Sequence, residues 1–195
     1  MEDEESFMGK SYIHQRNMYS KRHEVITVRN PFDRIVSAYV SKLTPAGAGF
    51  NQVYAPMSRR IKEQYKHLRH DIQDRNEADD DVATFEDFVN FLVDIKGPRE
   101  IHWQFYHELC RPCQSHYDYI IKFETMRDDI EFLSNYLNIS EEHRKIFFPQ
   151  MQYRSQPNKV DQYFEKIPRN LVLNLYNAYK KDFVLFDYDR PYYLN

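Results

Sequence analysis

Val25 to Leu43 reads VITVRNPFDRIVSAYVSKL and changes character twice within nineteen residues. EVITV (24–28) is β-branched with no alternating polar face, the composition of a short buried strand. Arg29 follows, and then Asn30, a good helix N-cap, and Pro31, whose fixed φ suits the first helical position. From there Phe32, Ile35, Val36, Tyr39, Val40 and Leu43 recur at helical spacing and predict a core-facing stripe. Asn30, Asp33, Arg34, Ser37 and Ser41 fall on the opposite, polar stripe. An arginine at the carboxyl end of a strand, beside a helix N-terminus, stands where open α/β sheets collect ligands. Ser37 lies about two turns down, roughly 10 Å along the axis. Arginine offers two parallel donors to a phosphate and serine adds a short one, so the pair Arg29 and Ser37 suits a terminal phosphate alongside the helix. The competing reading pairs Arg29 with a nearby carboxylate and leaves Ser37 as a small helix residue.

The rest of the 195-residue chain sets limits on that site. Hydrophobic residues make up 42% and aromatics 16%, enough for one domain with a real core. A mean hydropathy of −0.80 implies a wet surface. The net charge of −3 argues against a general nucleic-acid binder, whose affinity rests on excess Lys and Arg. No apolar run is long enough to span a membrane, and the acidic start MEDEESFMGK has no secretory h-region, which read literally points to the cytosol. The glycines are Gly9, Gly47, Gly49 and Gly97, from which neither GxxxxGK nor GxGxxG can be assembled.

Along the chain, residues 1–24 read as a polar N-terminal arm and 25–195 as a single domain. TPAGAG (44–49) ends the first helix. Residues 57–70 form a basic helical pattern through Ile61, Tyr65 and Leu68, and NEADDD (76–81) follows as a solvated linker. Thr84 and Asp87 make a capping box for a helix bearing Phe85, Phe88, Leu92 and Ile95, closed by Gly97-Pro98. A short helix, a Cys-Pro-Cys turn and a strand around Tyr119–Phe123 come next. A helix over 127–138 is followed by one opened by Ser140. MQYRSQPNK (151–159) reads as a polar loop, and Pro168 starts a last helix with Leu171, Leu175, Ala178 and Tyr179 inward. Strands alternating with helices give an α/β class with helix in excess.

VRNPFDRIVSAY resembles the 3′-phosphate-binding motif of the Golgi carbohydrate sulfotransferases, the family of chondroitin, dermatan and glucuronyl sulfotransferases. TFEDFVNFL, HWQFYHELCRPCQSHYDYIIKFETM and YFEKIPRNLVLNLYNAYKKDFVLFDYD resemble further family segments in the same order, over residues 25–190. The resemblance implies a P-loop-like sulfotransferase fold and 3′-phosphoadenosine 5′-phosphosulfate as sulfo donor, without a metal. It further implies a glycan acceptor of chondroitin, dermatan or related type and residence in the Golgi. In the family motif the Arg and Ser that grip the 3′-phosphate correspond to Arg29 and Ser37, and Arg34 supports the same polar stripe. Arg154 and Ser155, in YRSQPNK, correspond to a polar loop over the nucleotide. Family members also carry an upstream lysine-bearing loop for the 5′-phosphosulfate and a membrane anchor. Neither is recognisable in the 24 residues before Val25, so the chain resembles the carboxyl-terminal portion of such an enzyme, with a sheet edge left exposed. Two expectations follow: an active carbohydrate sulfotransferase, or an inactive short form that retains only nucleotide or glycan binding.

Sulfo transfer is an in-line displacement that rests on positioning and charge stabilisation, and it needs a base for the acceptor hydroxyl. His102 is the candidate, set against a purely structural role beside Trp103; His107 and His116 are weaker choices. CRPC could be redox-active or half a zinc site, but no second Cys pair completes a four-thiolate set. In the family the pair implies a structural disulfide. RRIKEQYKHLRH is either a surface for an acidic glycan or a solvated helix face.

Overall fold

The computed structural model describes residues 23–70, 82–96, 99–147 and 157–194. Strand β1 (Val25–Val28) runs parallel to β2 (Tyr119–Lys122), with Val25 opposite Tyr119 and Val28 opposite Lys122. Glu24 and Asp118 extend this pairing, since the Glu24 carbonyl accepts the Asp118 N–H at 2.8 Å and the Asp118 carboxylate accepts the Glu24 N–H. Parallel strands require a crossover, and among the described residues it carries four α-helices.

These are α1 (Pro31–Ala38), α2 (Tyr54–Tyr65), α3 (Phe85–Asp94) and α4 (Tyr106–Leu109). After β2 come α5 (Met126–Tyr136), α6 (Glu141–Phe147), α7 (Pro157–Phe164) and α8 (Arg169–Leu185). The class is helix-rich α/β, as the sequence predicts. α3 packs on both α2 and α8, while α1 lies against α7 and α8.

The main core joins the apolar faces of these helices. Phe32 stacks on Phe164 and meets Phe183 edge-on, and Tyr39, Phe85, Phe88 and Trp103 extend the aromatic contacts. Edge-to-face ring pairs at such spacings add to the burial itself. Each face of the two-stranded sheet is covered diagonally. Ile121 lies under Met126, Ile130 and Leu133 of α5, whereas Ile26 and Val28 cluster with Phe186 on the other side. Val25 and Ile120 stay 40% and 50% exposed, so among the described residues each strand has one paired edge and one partly bare face.

Several expectations need correction. The first helix does not continue regularly to Leu43: Tyr39–Leu43 form a π-helical turn, a widening that lets Thr44 and the 44–49 loop fold back on it. The Thr44 hydroxyl donates to the Val40 carbonyl and the Gly49 N–H to the Ser41 carbonyl. Leu68 is half exposed, because the helix tightens to a 3₁₀ turn at Lys66–Leu68 and turns that side chain away from the core. Pro157, Asn158 and Lys159 are the first turn of α7, not the end of a loop, since proline is tolerated in a first turn. Residues 1–22, the acidic stretch 76–81, Gly97-Pro98, and residues 148–156, Arg154 and Ser155 among them, lie outside the described residues.

Candidate functional site

Asn30 initiates α1 as its residue type requires, its side-chain oxygen accepting the Phe32 N–H at 2.9 Å and the Asp33 N–H at 3.5 Å. Its own N–H donates to Glu124, just beyond β2, so the start of the helix is tied to the end of the neighbouring strand. With the buried side of α1 fixed by Phe32, Ile35 and Val36, the stripe of Arg34, Ser37 and Ser41 faces away from the core.

That stripe opens onto a cavity of about 470 Å³. Arg29, Arg34 and Lys42 supply three cations to its wall, Ser37 and Ser41 two hydroxyls, and His102 an imidazole; among the described residues no carboxylate lines it. A second cavity, about 420 Å³, flanks the other side of α1 and shares Arg29, Ser37 and Ser41, adding Asp33 and Gly47. Arg29 and Ser37 therefore stand on the ridge between the two.

Arg29 holds no ion pair among the described residues, and its guanidinium lies 4.7 Å from the Phe123 ring centroid. Its Nε is buried without a hydrogen-bond partner. A buried donor left unsatisfied costs free energy, so a cationic one beside a carboxylate-free cavity fits an anionic ligand. Asp33, which lines the second cavity with Arg29, has its carboxyl pushed up by burial, an effect that the Arg29 charge opposes while Glu124 and Asp161 reinforce it.

Arg34 is committed elsewhere as well as to the cavity. Its guanidinium donates to the Ile101 carbonyl at 2.9 Å and lies 4.1 Å above the Tyr106 ring. It thereby clamps the 101–106 segment, and His102 with it, against α1. Beyond it, Asp182 of α8 is fully buried and accepts the N–H groups of Tyr106 and His107 and the Nδ1 of His107 at 2.7 Å. His107 is thus occupied in anchoring α4, and His116 is exposed, outside the cavity wall.

His102 is half-buried. Its Nδ1 is 2.8 Å from Glu100 Oε1, and its backbone N–H donates to Glu100 Oε2 at 2.8 Å. Tyr54 of α2 donates its hydroxyl to the same Oε1 at 3.0 Å. Burial would raise the Glu100 carboxyl, but hydrogen bonds from the His102 side chain and backbone and from Tyr54 hold it below the usual carboxylate range. Burial first, and then the bond to Glu100, push the Tyr54 hydroxyl up. Glu100, Tyr54 and Lys42 escape the sequence reading. For Glu100 the signal is present as an acid two residues before a histidine; for Tyr54, which comes from another helix, there is none.

The basic segment divides in two. Arg59, Arg60, Lys66 and His67 are exposed, but Arg69 is 3% exposed and forms a two-pronged pair with Asp87 at 3.0 and 2.6 Å. Cys110 and Cys113 are both free thiols, with Arg111 between them in the left-handed region at φ 46°. Among the described residues no group of acids, His and Cys is arranged to hold a metal ion, and no helix is long and apolar enough to cross a membrane.

A profile of the Sulfotransferase family matches residues 3–189. Carbohydrate sulfotransferase 11 of Rattus norvegicus is 34% identical over 188 residues, covering 93% of this chain and 50% of that protein. Carbohydrate sulfotransferase 10 of Danio rerio is 32% identical over 200 residues, covering 97% and 52%. Carbohydrate sulfotransferase 8 of Homo sapiens is 27% identical over 201 residues, covering 96% and 43%. The chain thus spans about half the length of the curated relatives it matches. No solved structure matches. With a profile match across nearly its whole length, and a helix-rich α/β arrangement in keeping with a P-loop-like fold, the chain belongs to the sulfotransferase family.

Proposed function

We propose that the polypeptide acts as a carbohydrate sulfotransferase, moving a sulfo group from 3′-phosphoadenosine 5′-phosphosulfate to a glycan hydroxyl. One observation carries the reading: a cavity walled by three cations and two serine hydroxyls, with no carboxylate among the described residues and with the buried Arg29 Nε lacking a partner there. Arg29 and Ser37 hold the 3′-phosphate of the donor, Arg29 through charge-assisted bonds and Ser37 through its hydroxyl. Arg34 keeps the 101–106 segment against α1, and Lys42 adds positive charge to the same wall. Arg154 and Ser155 contribute to the nucleotide site from the 151–156 segment.

The bound nucleotide supplies the activated sulfo group. His102 accepts the proton of the acceptor hydroxyl as its oxygen bonds to sulfur and the bond from sulfur to the 5′-phosphate oxygen breaks. Adenosine 3′,5′-bisphosphate is the leaving product, and no metal takes part. The acceptor is a chondroitin- or dermatan-type chain or a related glycan, and the setting is the Golgi lumen. The names of carbohydrate sulfotransferases 11, 10 and 8 support sugar as the acceptor class.

Transfer of labelled sulfo groups to desulfated chondroitin tests the reading. Activity that Arg29→Ala lowers about 100-fold supports it, one charge-assisted contact contributing about 1.5–3 kcal/mol. Transfer that is absent, or indifferent to Arg29, overturns it.

A further inference from the structure

We infer that Glu100 is a positioning residue for His102, fixing the imidazole with its proton on Nδ1 and its lone pair on Nε2, and that Tyr54 holds Glu100 in place for that task. The inference rests on the proposed sulfo transfer for its catalytic meaning, but its geometry stands independently.

An ionised carboxylate has only acceptor positions. Glu100 collects four contacts: the His102 Nδ1 at 2.8 Å from Oε1 and 2.9 Å from Oε2, the His102 backbone N–H, and the Tyr54 hydroxyl. With its carboxyl held in the ionised form by these donors, Nδ1 facing it must carry a proton. Nε2 has no hydrogen-bond partner among the described residues, and it is the nitrogen left to receive a proton on a residue that lines the cavity. Which ring nitrogen is protonated follows from the bond the other one makes.

Tyr54 closes the arrangement. Its hydroxyl is 3.0 Å from Glu100 Oε1 and 3.3 Å from His102 Nδ1, and its ring meets the imidazole edge-on at 5.8 Å. Among the described residues, the other charges on the same cavity wall are cationic: Lys42, 5.3 Å from the Tyr54 ring centroid, and Arg29 and Arg34. Among the described residues, Glu100 is the one carboxylate bonded to this ring. A loop cap alone would need only the backbone N–H bond to Oε2; the paired contacts to Nδ1 and the phenol from a different helix are surplus to that role.

Two measurements on the intact chain test this. Two-bond proton–nitrogen spectra of the histidine side chains, taken where imidazoles are neutral, report the tautomer directly. His102 is expected to hold its proton on Nδ1 in the parent chain and to become a mixture in Glu100→Gln. An Nε2-protonated ring in the parent, or an unchanged ring in Glu100→Gln, overturns the inference whether or not the protein transfers sulfate. In the transfer assay Glu100→Gln is expected to lower kcat about 10- to 100-fold with the acceptor KM and adenosine 3′,5′-bisphosphate affinity unchanged. The same substitution should add nothing on top of His102→Ala. Additive losses, or a loss confined to KM, would assign Glu100 to loop structure alone. Glu100→Asp, if it restores both the tautomer and part of kcat, supports the role. A parent chain with the expected tautomer and no transfer overturns the sulfotransferase reading, and with it the catalytic meaning of the contact.

Discussion

Arg29 and Arg69 show how differently two arginines in one chain are used. Arg69 lies in the segment that reads as a basic face, yet it is buried against a fully buried Asp87, which also accepts the Thr84 N–H at 2.8 Å. Removing one member of such a pair leaves an uncompensated buried charge, a loss of about 3–5 kcal/mol. Arg69→Ala should therefore lower the unfolding free energy measured in urea sharply, while Arg59→Ala, at an exposed position, should change it by less than about 0.5 kcal/mol. Equal effects would contradict this division. From sequence these arginines look alike, because the acid that captures Arg69 lies eighteen residues away. Arg29 and Ser37 were legible as a pair because strand, cap and helix follow one another locally. What the sequence left open was whether an acid occupies Arg29, and among the described residues none does. The contacts of His102 fall between these cases: Glu100 is a neighbour in the chain, Tyr54 only in space.

At the scale of elements, capping chemistry was readable and irregular geometry was not. The Thr84–Asp87 capping box forms in both directions, and Asn30 caps α1. Asn30→Ala should cost about 1 kcal/mol by urea unfolding, the usual value for a lost cap. The π-helical turn at Tyr39–Leu43 left no mark in the pattern, because Tyr39, Val40 and Leu43 satisfy α-helical spacing equally well. It depends on the loop that folds back over it. A Cβ on Gly47 would stand 2.2 Å from the Val40 carbonyl oxygen and 2.3 Å from that of Ser41, both backbone atoms. Gly47→Ala should consequently displace the turn, destabilise the protein and weaken anion binding through Ser41 and Lys42. Full retention of both stability and binding would show that the loop does not hold the turn. π turns recur at functional sites, and this one places Ser41 and Lys42 on the wall of the cavity.

For the molecule as a whole, buried tyrosines govern the alkaline limb of stability. Tyr65 is buried against α3 and donates its hydroxyl to Asp94 at 3.0 Å; burial first, then that bond, push its pKa up to about 12. Burial also raises Tyr179 and Tyr188. A raised folded pKa means that the unfolded chain releases its proton first. Stability is thus fully present below about pH 10 and declines as pH climbs from there toward 12. Tyr65→Phe should flatten part of that decline in urea unfolding followed from pH 9 to 12, and an unchanged slope would refute the assignment. The helix-rich α/β class was likewise readable from alternating strand and helix signals, whereas the covering of Ile26 and Val28 by Phe186 was not, since that partner lies far along the chain from β1. The central claim, that the ridge of α1 grips a nucleotide's phosphate, is tested most directly by calorimetry with adenosine 3′,5′-bisphosphate. Binding that Arg29→Ala weakens about 100-fold and Ser37→Ala about 10-fold is the predicted result. Binding to the parent chain that neither substitution alters, or no binding at all, would contradict it.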